Sequence, residues 1–458
     1  MMFPLKRVPQ GRAFILPGRR PLCYTAHYSL RIKSMKATKT TLKNGIRLVT
    51  IPIADAPTAT VLVLVETGSK YEDKRINGLS HFLEHMCFKG TTNRPSALDI
   101  TKELDGLGAQ YNAFTGQEYT GYYAKGEASR LAKLLDIVSD IYLNSTLPAD
   151  EIEKEKGVIV QEINMYEDMP HRHVHDVFMN LLYGDQPAGW NIAGTPEIVR
   201  SLTREDFMAY RGKQYVPEAT IVVVAGAIDP RTVKADVQKL FAGVSAGKKG
   251  GKKKVLDKQS APAARIEKRE TDQTHLVLGV RAKPVTHPDH FVLEVLAGIL
   301  GGGMSSRLFQ RIRTELGAAY YVRAWNDAST DHGIFGVSVG AGNEQTKDVV
   351  RATLEEMARL TREPVSREEL EKVKMYLTGH LYLELESSDS LANFYGMQEV
   401  LTKEMLSAKD TATRIRAVTP EDIRRVAKSI FKDTTLNLAL IGPFEKESEF
   451  LSLLTFPK

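Results

Sequence analysis

Apolar residues along this chain fall into two kinds of pattern. Short stretches such as "ATVLVLVETGS", "YTGYYAKGE", "THLVLGVRAK" and "GIFGVSVGAG" alternate or run apolar over strand lengths. Longer stretches such as "ADEIEKEKGVIVQEINMYEDM" and "DHFVLEVLAGILGGG" carry apolar positions at helical spacing. The helices separate the strands without regular βαβ spacing. The class expected is therefore α+β, with mainly antiparallel sheets and helices packed on one face of each.

The pattern also repeats. "LTREDFMAYRGKQYVPEATIVVVAGAID" gives a helix and then an apolar strand, and "VTPEDIRRVAKSIFKDTTLNLALIGPF" gives the same pair in nearly the same register, with Thr203 and Thr419 placed as N-caps. Upstream of each lies a long helix, "ADEIEKEKGVIVQEINMYEDM" in one case and "SREELEKVKMYLTGHLYLELE" in the other. The second half of the chain thus restates the first. Between them "SAGKKGGKKKVLDKQSAPAAR", residues 245–265, is rich in Gly, Lys, Ala and Ser and reads as a solvated, flexible linker. The expected organisation is a basic extension at 1–35, a first domain at 36–244, the linker at 245–265 and a homologous second domain at 266–458.

One short stretch carries chemistry. In "GLSHFLEHMCFKG", His81, Glu84 and His85 stand at i, i+3 and i+4, on one face of a helix whose other positions, Leu79, Phe82, Leu83, Met86 and Phe88, are apolar. Two histidines one turn apart can direct ring nitrogens at one tetrahedral zinc ion. A catalytic zinc needs a third ligand as well, and Glu84 is better used as a base than as that ligand. Glu155 and Glu162, seven apart and so on one face of the long helix, are candidates. The repeat places Val373 and His380 at their positions, and the helix "DHFVLEVLAGILGGG" offers no His pair. A site, if present, belongs to the first half. The plainer reading is a pair of satisfied core histidines beside a solvated glutamate face.

Composition narrows the classes. With 458 residues, 42% hydrophobic and 26% charged, the chain has ample core, and no apolar run approaches the ~20 residues of a membrane span. The net charge of +6 is misleading: the first 54 residues hold eleven Lys and Arg and no acid, which leaves 51 basic against 56 acidic residues in the rest. The mildly acidic body gives no nucleic-acid footprint, and the linker lysines read as solvated. The two cysteines, Cys23 and Cys87, exclude a disulfide framework, and Cys87 reads as a small buried hydrophobe. The basic, Pro- and Gly-broken leader is either a mitochondrial transit peptide or sequence ahead of a true start at Met35. The second reading is the expectation.

With these residues in view the chain resembles the inverted-motif zinc peptidases of the pitrilysin and mitochondrial processing peptidase group, the M16 family. "HFLEH" followed 77 residues later by Glu162 carries the resemblance, which spans residues 36 to 445. It implies that His81, His85 and Glu162 bind one zinc per chain, that Glu84 activates the water, and that Glu155 supports the site from behind the ligands. "GGGMSSRLFQRIRTELGAAYYV" is similar to the element that in relatives completes the active site from across a chamber, with Arg313 and Tyr320 in the matching positions. Donors of those types suit a substrate carbonyl or its developing oxyanion. "AQYNAFTGQEYTGYYAKG" resembles the strand on which relatives dock peptide by edge pairing, at Asn112, Ala113 and Phe114. The histidines of "PHRHVHD", His171, His173 and His175, sit at a spacing of two that does not align ligands on a helix, and "HPDH" at His287 to His290 reads as a loop entering a helix.

The reading that follows is a zinc metalloendopeptidase of clamshell form acting on unstructured peptides or leader segments. Its alternative is a non-catalytic core or substrate-binding subunit of a processing-peptidase-like complex, whose members lose the zinc residues that this chain keeps. The resemblance also implies a homodimer, or a heterodimer with a related subunit, and a cytoplasmic protein of bacterial type, or a mitochondrial matrix protein if the leader is a transit peptide.

Overall fold

The computed structural model describes residues 36–244 and 247–457. The basic extension at 1–35, with Cys23 and the two readings of the leader, lies outside the described residues. Six strands form the first sheet: β1 (Thr38–Thr41), β2 (Arg47–Pro52), β3 (Thr58–Val65), β4 (Gln110–Thr115), β5 (Thr120–Glu127) and β6 (Thr220–Gly226), in the order β1-β2-β6-β3-β5-β4. Five form the second: β7 (Ala263–Lys268), β8 (Gln273–Ala282), β9 (Ala319–Ala328), β10 (Gly333–Gly342) and β11 (Asn437–Gly442), in the order β7-β11-β8-β10-β9. Apart from β1 the two orders are one permutation. β2 runs parallel to β6 as β7 does to β11, and every other pair in these two orders is antiparallel. The α+β class and the internal repeat seen along the chain are both visible here.

Each sheet buries one face under its own helices. Leu48, Val61, Val63, Val65, Val222 and Val224 meet Phe82, Leu83, Leu135 and Val138 in the first half. Leu276, Leu278, Val337 and Val339 meet Leu293, Leu296 and Val350 in the second. The expectation of helices on one face alone is incomplete. Helix Pro170–Tyr183 of the first half lays Val174, Phe178 and Leu182 on Val277, Ile334, Ala439 and Ile441 of the second sheet. Helix Ser388–Leu401 of the second half lies on the first sheet, so close that a Cβ on Gly396 would stand 2.7 Å from Leu64 Cδ1. Its polar residues bind there too: Ser388 Oγ lies 2.9 Å from Thr60 Oγ1, and Glu399 pairs with Lys39 and Arg47. Covering both faces is why β6 and β11 are buried at every position.

The described part of the linker is irregular in backbone up to Pro262, its last three residues opening β7, yet it is held at several points. Lys249 pairs with Glu66 and Lys252 with Glu118, while Val255 packs against the core beneath helix Pro170–Tyr183. Residues 245 and 246 lie outside the described residues. No helix among the described residues is long and apolar enough to cross a membrane.

Candidate metal centre

Helix Leu79–Met86 points Leu79, Phe82, Leu83 and Met86 into the core, which leaves His81 and His85 on the other side with ring centroids 4.7 Å apart. Its N-terminus is held from outside. Gly78 starts the helix at φ 97 without a side-chain cap, and the buried Glu72 carboxylate accepts instead from the backbone N–H of Gly78 (2.8 Å) and Ser80 (2.6 Å). Burial pushes the Glu72 carboxyl up to about 7, against these donors. The Ser80 hydroxyl lies 2.7 Å from that of Tyr210.

Helix Ala149–Glu167 packs alongside and supplies both candidate glutamates. Glu162 Oε2 lies 3.7 Å from His81 Nε2 and 3.5 Å from His85 Nε2, and the three ligand atoms fall within 4.8 Å of one another. Among the described residues no other group of His, Cys, Asp and Glu converges in this way. Zinc with ligands at ~2.0–2.1 Å sets tetrahedral ligand edges of about 3.3 Å, and the two distances from Glu162 exceed that by only a few tenths of an ångström. The donor set fits zinc.

Glu155 takes the supporting position. Its Oε1 lies 3.0 Å from His85 Nδ1 and its Oε2 2.5 Å from Lys89 Nζ, which leaves His85 Nε2 directed at Glu162. Burial alone would raise the Glu155 carboxyl, but His85 and Lys89 hold it below the usual range. His81 is driven down to about 3 by burial and by its neighbour His85, so its imidazole is neutral and free to ligate. His81 Nδ1 is buried without a hydrogen-bond partner among the described residues. For His85 burial works in the same direction, yet Glu155, Glu84 and Glu162 together raise its pKa.

Glu84 is buried on the same helix and receives a hydrogen bond from Thr115 Oγ1 at 2.5 Å. Burial pushes its carboxyl up to about 7, partly opposed by Thr115 and His85. Thr115 ends β4, the open edge of the first sheet, which carries Asn112, Ala113 and Phe114. Asn112 is exposed, and Phe114 stacks edge-on against Tyr119 at 6.0 Å. The expected docking strand therefore leads to the candidate base.

Arg313 and Tyr320 come together elsewhere. Arg313 lies on the π-helical turn Phe309–Glu315 and Tyr320 on β9, past Gly317 at φ 61, with the guanidinium 5.9 Å from the Tyr320 ring centre and 5.0 Å from that of Phe309. Tyr320 is 72% exposed. Among the described residues no hydrogen bond, ion pair or ring contact joins either one to the metal centre. In the other histidine run, His173 pairs with Glu267 at 2.9 Å, His175 lies 3.4 Å from Ser338 Oγ, and His171 is exposed. His290 opens a helix after the loop holding His287, as read from the chain. Cys87 is buried.

Three contributors to the centre escape sequence reasoning: Glu72, Lys89 and Thr115. Glu72 leaves the faint signal of an acid ahead of a helix that starts on glycine. The other two leave none.

Residues 47–196 match the model of the insulinase family, peptidase family M16, and residues 201–377 match the M16 inactive domain. The second match agrees with the loss of the His pair from the second half. An uncharacterized zinc protease of Bacillus subtilis is 36% identical over 88% of this chain and 97% of its own length, and one of Streptomyces coelicolor is 35% identical over 89% and 90%. A protease from Helicobacter pylori superposes with a TM-score of 0.83 at 24% identity, covering 89% of this chain and 100% of that one. A peptidase M16 inactive domain from Pseudomonas fluorescens superposes equally well at 16% identity, over 90% and 100%. With family models matched across both halves and relatives at 35–36% identity over nearly their whole length, the chain belongs to peptidase family M16.

Proposed function

We propose that the chain is a zinc-dependent metalloendopeptidase that cleaves unstructured peptides or leader segments. The observation that carries this reading is the convergence of His81, His85 and Glu162 beside a buried carboxylate, Glu84, on the same helix. His81, His85 and Glu162 would hold the ion, one per chain. Zinc in such a site supplies Lewis acidity to polarise the scissile carbonyl. Glu84 takes a proton from the attacking water and returns it to the leaving amine, with Thr115 holding Glu84 Oε2 in place. β4 pairs with the backbone of an extended peptide along its open edge, at Asn112, Ala113 and Phe114, and so tolerates varied side chains. Glu155 orients His85.

Arg313 and Tyr320 serve as donors to the carbonyl oxygen in a dimer, either of this chain with itself or with a related subunit, where the partner's second half reaches the metal centre. Their exposure, and the absence of any contact with that centre in the described residues of one chain, supports this arrangement.

Hydrolysis of an internally quenched, unstructured peptide tests both parts. Glu84→Gln keeps the side chain's size but cannot accept the proton, so the rate is expected to fall at least ~100-fold with zinc retained. Full activity in that variant would sink the mechanism. In a homodimer, mixing inactive Glu84→Gln with inactive Tyr320→Phe regenerates one complete site per mixed dimer and restores activity. Failure to complement, with subunit exchange verified, would remove Tyr320 from a partner's site.

A further inference from the structure

Histidines gather at a second place, where the two halves meet. Helix Pro170–Tyr183 seats Val174, Phe178 and Leu182 on the second sheet. His171 and His175 fall on the same stripe, so the first and last histidines of "PHRHVHD" share a helix face four residues apart, while His173 turns aside to Glu267.

β8 supplies a third ring. Leu276 and Leu278 point into the core of the second half and Val277 meets the helix, so by alternation His275 faces the helix too. The ring centres of His171 and His275 are 6.0 Å apart. Two imidazoles on one tetrahedral zinc, with Zn–N at ~2.0–2.1 Å, place their ring centres about 5 Å apart. The histidine pair of the first centre stands at 4.7 Å. Burial, and then the nearness of His171, lower the pKa of both His175 and His275, so each ring is neutral and able to ligate.

His275 is already oriented. The strand register sets His275, Gly340 and Tyr321 in one row. Tyr321 lies over Gly340, where a Cβ would stand 2.4 Å from its ring, and its hydroxyl reaches to 3.0 Å from His275 Nδ1. An oxygen that accepts from Nδ1–H fixes the tautomer whose Nε2 is left for a metal, which is the part Glu155 takes for His85. The other two rings are loosely held. His175 Nε2 lies 3.4 Å from Ser338 Oγ, at the long limit of a hydrogen bond, and the exposed His171 has no hydrogen-bond partner among the described residues.

We propose that His171, His175 and His275 form a second metal site, which takes one divalent ion of the late transition series, for which imidazole donors are suited. The three rings stand less closely converged than the ligands of the first centre, and binding turns the two loose ones toward His275 Nε2. The ion enters through a cavity of about 690 Å³ between the halves, which His175 and Tyr321 line. Once bound, it clips a helix of the first half to a strand of the second. The inference goes beyond hydrolysis and does not rest on the first centre being occupied.

The full chain is dialysed against micromolar free Zn²⁺ and its zinc content compared with that of His275→Ala. The wild type should carry one ion more, whatever the first centre holds. His171→Ala should also lose that ion, and His173→Ala should keep it. Tyr321→Phe retains the ring but not the accepting oxygen, so its affinity for this ion should fall ~10-fold. Equal zinc in the wild type and His275→Ala, or loss of the ion in His173→Ala as complete as in His171→Ala, overturns the proposal. A second measurement leaves the three histidines intact. Co²⁺ is titrated into the full chain carrying His81→Ala and His85→Ala, and one equivalent should bind with the visible absorption of imidazole-ligated Co²⁺. No uptake by that chain overturns the proposal as well.

Discussion

Glu155 holds His85 Nδ1 with one carboxylate oxygen and the Lys89 ammonium with the other, which fixes the ring tautomer that leaves Nε2 for a metal. Glu155→Gln keeps an oxygen able to accept from His85 but releases Lys89 and removes the charge that raises ligand basicity. Zinc affinity in a chelator competition is expected to fall ~10–100-fold with secondary structure unchanged. An unchanged affinity would make Glu155 a packing residue alone. His81, Glu84 and His85 were legible in the sequence because helix geometry alone brings i, i+3 and i+4 together. Glu162 was legible only through its spacing from Glu155 and the family pattern, since a second helix delivers it. Thr115 and Lys89 were not legible, and Glu72 only faintly as an acid ahead of a helix that starts on glycine, because packing between separate elements creates their contacts and no periodicity marks it.

Helices announce their ends where a side chain does the capping. Thr203 and Thr419 each accept from the backbone N–H three residues on, and Asp206 and Asp422 reach back to complete capping boxes, as the two matching segments predict. The motif helix is different, because its cap comes from Glu72 and its start depends on backbone shape. Gly78 has φ 97, and a Cβ there would stand 2.5 Å from the Ala193 carbonyl oxygen. Gly78→Ala therefore meets both a left-handed backbone and a backbone clash. A loss of about 2 kcal/mol or more in urea unfolding is expected, with weaker zinc binding as the helix start shifts. Wild-type stability and zinc affinity together would show that the loop relaxes freely. The exchanged helices mark the limit of sequence reading at this scale. The fully apolar runs of β6 and β11 signal strands buried on both faces, but nothing local states that the cover comes from the other half.

The two halves meet at a buried charge cluster whose behaviour with pH belongs to the molecule as a whole. Lys70, 1% exposed, comes from the first half and reaches Glu118 Oε1 at 2.9 Å, Asp331 Oδ1 at 2.5 Å and His332 Nδ1 at 3.1 Å. The Thr330 N–H from the β9–β10 turn donates to Glu118 Oε2 at 2.8 Å. Burial pushes the Glu118 and Asp331 carboxyls up, but the ammonium groups of Lys70 and Lys252, with His332 beside Asp331, outweigh it and hold both below their ordinary values. A carboxyl depressed in the folded state binds fewer protons than in the unfolded chain near its ordinary pKa of ~4, so its contribution is fully present above that pH and is lost as pH falls toward the folded value. Asp331→Asn removes one partner of a buried cation while Glu118 still holds Lys70. The variant is expected to lose about 2 kcal/mol at pH 7, and the gap from wild type should narrow steadily below about pH 4. Because helices Pro170–Tyr183 and Ser388–Leu401 each cover the other half's sheet, both proteins should unfold in one transition that shifts as a unit. Denaturant unfolding from pH 7 to pH 3 measures the gap, and a difference that stays constant over that range would mean that Asp331 stabilises the junction by packing and not by its charge.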